Sequence, residues 1–136
     1  MNLTAAVYDR LVGDLTLVGM LATYGGGPAV FTTDPAPGNA VLPYIVTAGD
    51  VATVAFDTKV TRGREVVRDV RCYAAAAGSA ALVEGIAERV RALLHRYELP
   101  IVDAGVIVAE CSGPVAADEV DAYGRIVTVR FILTEV

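Results

Sequence analysis

The sequence predicts an α+β fold, a twisted antiparallel sheet of about four to five strands with helices packed on one face. Three observations predict it. Residues 80–97 carry an apolar stripe at helical spacing. Residues 125–134 alternate apolar and polar side chains, the period of a half-buried antiparallel strand. Helical patterns group at two places, and long strand-like runs fill most of the rest. A length of 136 residues fits a single domain spanning 1–136.

The elements read in chain order. Residues 3–12, LTAAVYDRLV, place Leu3, Ala6, Val7 and Leu11 on one helical face, with Asn2 as N-cap. Asp14 caps a second short helix through Leu15, Val18, Leu21 and Ala22. Gly25-Gly26-Gly27-Pro28 ends it as a flexible turn. Residues 30–33 form a short strand, and 34–41, DPAPGNAV, a loop of turn formers. A strand starts at residues 42–47, with Pro43 near its beginning, and residues 51–56 continue or restart it. Residues 57–63, DTKVTRG, are a polar turn. Residues 64–74 form a long strand with Val66, Val70 and Cys72 on one face and Arg68 intruding on it. Glu65, Asp69, Arg71 and Tyr73 take the other face. The helix of 80–97 carries Leu82, Val83, Ile86, Val90, Leu93, Leu94 and Tyr97, and Pro100 stops it. Residues 106–111 form a strand, 112–123 a turn-rich acidic connection. The last strand, 125–134, buries Val127, Val129, Phe131 and Leu133.

Composition narrows the function. Hydrophobic residues make up 54% of the chain and charged ones 20%, which places it among globular chains and not disordered ones. The mean hydropathy of +0.52 is high for a small soluble domain and points to apolar surface destined for a subunit interface. No run approaches the length of a membrane span. The first residues lack the basic start and apolar run of a signal peptide, so a cytosolic chain is expected. Cys72 and Cys111 are then two buried thiols rather than a disulfide. The net charge of −5 is unevenly spread: residues 1–57 carry −4, residues 58–96 carry +4 and residues 97–136 carry −5. An acidic chain argues against a dedicated nucleic-acid binder.

Catalytic and metal constellations are thin. His95 is the single histidine, and a hydrolase built on Ser112, His95 and Asp103 has no nucleophile-elbow pattern around Ser112. Metal-ligand spacing is absent, and the triple glycine lacks a P-loop's Lys-Ser/Thr. The expectation is therefore no catalytic residue, no metal and no cofactor. Asp118, Glu119 and Asp121 lack the alternation and closing glutamate of a calcium loop. One polar feature rises above background: Lys59, Arg62, Arg64, Arg68 and Arg71, around a turn. Glu65 and Asp69 within it favour a protein partner or a solvated edge over DNA.

The order of features resembles a known family. A helix containing AAVYDRL precedes a second apolar helix, DLTLVGMLATY. Then come Leu42-Pro43-Tyr44-Ile45-Val46 entering a strand, and a hairpin with Thr58-Lys59 and Gly63-Arg64-Glu65. A helix ending Val90-Arg91-Ala92-Leu93-Leu94 and a last strand RIVTVRFILTE complete it. The whole is similar to the tail-completion (tail-terminator) proteins of long-tailed bacteriophages and gene transfer agents. The loop DPAPGNAV departs from the commoner pattern of that family.

The resemblance implies a structural virion protein and no enzyme. Such proteins form a homo-oligomeric ring, usually a hexamer, at the head-proximal end of the tail tube. The ring ends tube polymerisation and joins the tail to the head–tail connector, and DNA passes through its lumen without specific binding. The implied location is the neck region of the virion tail, with the host cytoplasm during assembly and no membrane. The alternatives are another ring of the same machine, a head–tail adaptor or tail-tube subunit, and the small hydrolase. The turn of Asp57, Thr58, Lys59, Arg62 and Arg64 is the expected interface.

Overall fold

The computed structural model describes residues 2–135. Its elements are α1 (Leu3–Val12), α2 (Leu15–Val18), β1 (Thr23–Tyr24), β2 (Gly27–Pro28), β3 (Val30–Phe31), β4 (Tyr44–Val46), β5 (Ala52–Ala55), β6 (Gly63–Ala75), α3 (Ala81–Leu94), β7 (Ala104–Ala116) and β8 (Ala122–Glu135). The α+β class holds. The sheet, however, has six strands in place of the expected four to five, and it is mixed. The order is β3-β4-β6-β8-β7, and β5 shares with β4 the edge of β6 that β8 leaves free. The pairing of β3 with β4 is parallel and every other pairing antiparallel. A parallel pair needs a crossover of about a dozen residues, and residues 32–43 supply it.

Local chemistry sets the helices. The Asn2 side chain accepts a hydrogen bond from the Ala5 amide at 3.0 Å, and Asp14 accepts one from Leu17 at 2.9 Å, so both N-caps form as expected. α2 stops early because the Ala22 amide donates to the Pro43 carbonyl at 2.9 Å and leads into β1. The glycines there form a tight β1–β2 hairpin, not a flexible turn. Gly25 and Gly26 both adopt positive φ, +59° and +84°, as a two-residue hairpin turn requires. α3 covers 81–94 and not 80–97, and Leu82 points outward, 48% exposed. The buried stripe is Val83, Ile86, Ala87, Val90, Leu93 and Leu94. Tyr97 lies beyond the helix under the Arg10 guanidinium, 3.6 Å from ring centre to Cζ.

One face of the sheet carries the main core. Val66, Val70 and Cys72 of β6, Val127, Val129, Phe131 and Leu133 of β8, and Ala109 and Cys111 of β7 pack with α1, α2 and α3. Fully burying side chains of this size stabilises by about 1.5–3 kcal/mol each. The opposite face has no helix layer. A small cluster of Val46, Tyr73 and Ala122 lies on it, next to a file of contacting rings, Tyr24–Phe31–Tyr44–Tyr73, the first two contacts edge-on and the last tilted. Among the described residues no helix is long and apolar enough to cross a membrane.

Candidate interaction site

β5 and the turn after it form an arm. β5 pairs only with β6, over the register Ala52↔Val67 to Ala55↔Arg64, and residues 51–62 are exposed throughout. Two of the five expected residues build the turn. Asp57 Oδ1 accepts from the Gly63 amide at 3.1 Å, and Thr58 Oγ1 accepts from the Thr61 amide at 3.0 Å. The Thr58 amide closes the turn on the Thr61 carbonyl at 2.9 Å. Gly63 is a glycine because a Cβ there would lie 2.7 Å from the carbonyl oxygens of both Leu133 and Phe56. Lys59 and Arg62 project from this frame without an ion-pair partner among the described residues. Val60, between them, is 91% exposed. Arg64 turns back to the sheet, its Nε 3.5 Å from Glu135 Oε1.

Of the rest of the basic group, Arg68 is neutralised inside the fold, while Arg71, half-buried in β6, has no ion pair among the described residues. Arg68 is buried among the core side chains, as its position on the apolar face of β6 dictates. Its Nε donates to Asp50 Oδ1 and its Nη2 to Thr4 Oγ1 at 2.6 Å. A small cleft of about 150 Å³ adjoins this trio. On the open face Arg130 binds Glu65 at 3.0 Å and approaches Glu110 at 3.8 Å, and Thr128 donates to Asp69 at 2.7 Å. The sequence showed Arg68 intruding on the apolar face but not what it meets there; Asp50 and Thr4 as its partners carried no sequence signal.

At the other end of the long strands the acidic connection proves short. Strands β7 and β8 run through most of 112–123, leaving a turn at 117–121. The expected break at Ser112-Gly113-Pro114 is a bulge within β7. Gly113 takes φ +88°, where a Cβ would lie 2.7 Å from the Ile126 carbonyl oxygen. Asp118 fixes the turn, accepting from the Gly124 amide at 3.1 Å and pairing with Arg125 at 3.0 Å. Glu119 and Asp121 are exposed, and Val120 is 96% exposed.

His95 has a backbone task. Its Nδ1 accepts from the Cys111 amide at 3.0 Å, and the Arg96 amide donates to the Ala109 carbonyl at 2.7 Å. The chain leaving α3 thereby closes part of the outer edge of β7 and walls a shallow groove of about 630 Å³. Because Nδ1 is an acceptor here, the ring's proton sits on Nε2. No hydrogen bond joins His95 to Ser112 or Asp103 among the described residues. Burial pushes the Cys72 thiol up to about 12 and Cys111 up to about 11, so neither is a ready thiolate. Among the described residues no group of three His, Cys, Asp or Glu side chains is placed to hold a metal ion.

The chain therefore presents two exposed, oppositely charged hairpin ends and an open sheet face. No protein-family model matches this sequence, and no curated protein does. Its fold is similar to that of a chain in the solved virion of a native gene transfer agent (GTA) particle, with a TM-score of 0.80, 19% sequence identity, and coverage of 97% of this chain and 94% of that one.

Proposed function

We propose that this protein is a structural component of a phage-like particle, the ring that ends the tail tube at its head-proximal end and joins the tail to the head connector. The observation that carries the reading is the likeness of fold to a virion chain, end to end in both molecules. The order of sequence features resembling tail-terminator proteins supports the position within the particle. The β5–β6 arm supports it too. An edge strand exposed on both sides, with Val51, Val54 and Phe56 uncovered, is a poor element for an isolated monomer and a good one for an assembly. The partners are further copies of this chain, the tail-tube protein and the head–tail connector. DNA passes through the lumen, and the net charge of −5 keeps phosphate from sticking to its wall. The protein acts without a cofactor, in the neck of the virion after assembly in the host cytoplasm.

Electron microscopy of the purified chain, alone and mixed with tail tubes, tests this. Closed rings seated on one end of each tube are expected. Open stacks of rings would instead assign a tube subunit, and single particles that never cap a tube would overturn the reading.

A further inference from the structure

The partner of the β5–β6 arm is legible in the charge of the other end of the molecule. β6 and β8 run antiparallel over 13 paired positions, from Gly63↔Thr134 to Ala75↔Ala122. At about 3.3 Å per residue, the twelve steps between the first and last pair separate the two ends by roughly 40 Å. The β5–β6 turn projects from one end with Lys59 and Arg62 unpaired among the described residues. The β7–β8 turn projects from the other with Glu119 and Asp121 exposed and no basic side chain among residues 117–121. Each turn carries an uncovered valine at its apex, Val60 at 91% and Val120 at 96% exposed. We infer that the β5–β6 arm of one copy docks on the β7–β8 end of the next, Lys59 and Arg62 facing Glu119 and Asp121 around the two valines.

The inference rests on the ring reading and deepens it by naming the surface that makes the ring. Two different patches at opposite ends of one subunit give a heterologous contact, the kind that propagates and closes into a ring. An apolar centre with a charged rim is the usual anatomy of such contacts, and opposite charges set orientation and on-rate. Nucleic acid is the weaker occupant for the arm. Two cations beside Asp57, on a chain of charge −5, do not make the basic face that a duplex needs.

The residues allow a clean test, because among the described residues the side chains of Lys59, Arg62, Glu119 and Asp121 make no hydrogen bond, while those of Asp57 and Asp118 do and stay untouched. Two full-length variants are made, Lys59→Glu with Arg62→Glu, and Glu119→Lys with Asp121→Lys. Masses are read by light scattering after size exclusion, with circular dichroism as the folding control. Wild type is expected as a multiple of 14.2 kDa, weakening as salt rises, and each variant as a folded 14.2 kDa monomer. Mixed in equal amounts, the variants should regain the wild-type mass, since each then offers the end that the other needs. Val120→Ser, which keeps every charge, should weaken wild-type association. Variants that assemble alone like wild type, or a mixture that stays monomeric, overturn the pairing. In the first case rings persist, so the ring reading survives while this contact falls. A wild type that is monomeric even beside tail tubes overturns both.

Discussion

Removing one member of the Arg68–Asp50 pair should cost very different amounts depending on which member goes. Arg68 has 6% of its side chain exposed, and Asp50 has 35%. Asp50→Ala leaves a buried guanidinium holding only the Thr4 hydroxyl. Breaking a buried pair in this way costs about 3–5 kcal/mol, and the low end applies because Thr4 and water in the adjoining cleft soften the loss. Arg68→Met removes the buried charge, keeps most of the stem volume and leaves Asp50 able to hydrate, so the cost is about 1 kcal/mol. At ~2.1 cal/mol/K per residue, 136 residues give an unfolding entropy of roughly 290 cal/mol/K, so these costs lower the Tm by about 10 °C and about 3 °C. Adding Asp50→Ala to Arg68→Met should then cost almost nothing further. Thermal and urea melts of wild type, both single variants and the double variant read all four values. Equal losses in the single variants, or additivity in the double, would refute the claim that the orphaned charge sets the cost.

Other elements give further expectations. Phe131→Ala empties the centre of the core, where the ring is fully buried, and should cost about 3–5 kcal/mol in a urea melt; an unchanged midpoint would put Phe131 on the wrong face. The hydrogen bond from Arg89 holds the Asp14 carboxyl down at about 2 against an ordinary 3.8, so its contribution is complete above about pH 4 and is lost as the pH falls towards 2. Asp14→Asn keeps a good N-cap but discards that dependence, so its stability should fall less than wild type's between pH 4 and 2; parallel curves would show that the pair does not couple to folding. His95→Ala should speed hydrogen exchange at the Cys111 amide and cost about 1 kcal/mol, and unchanged exchange would mean that the edge of β7 is closed by Arg96 alone.

The parts of the fold legible in the sequence are those whose information is local. α1, the buried stripe of α3 and the inward face of β8 follow from periodicity over ten or more residues, and both N-caps from a single side chain reaching three residues ahead. The β1–β2 hairpin was not, because two-residue strands are too short to show a period. The parallel β3–β4 pair was not, because pairing across a dozen residues leaves no mark on either strand. Ser112-Gly113-Pro114 shows why even strong local signals mislead. The same positive-φ glycine and donor-less proline that end a strand also let it bulge, and only the partner strand decides which.

The candidate site divides along the same line. The turn chemistry of Asp57 and Thr58 acts within six residues and was visible. Which cations remain free to meet a partner was not, because that depends on register. Pairing Val67 and Glu110 with Arg130 across β8 places Glu65 and Glu110 within reach of one guanidinium, and a slip of one residue would turn all of these side chains to the core. Register therefore sorts the basic group of the sequence into four fates. Arg68 is spent in the core, Arg64 ties the arm to β8 at Glu135, and Lys59, Arg62 and Arg71 have no ion pair with a described carboxylate; of these three, Arg71 stays half-buried in β6, and only Lys59 and Arg62 are carried out on the exposed turn. The chain can satisfy those two charges only by hydration or by another molecule. The same holds for Glu119 and Asp121, which the turn of Asp118 lifts off the opposite end. A sequence so apolar overall that still keeps these four charges unpaired among the described residues, each pair around a bare valine, has the distribution expected when the missing halves of the contacts are supplied by the neighbouring copy.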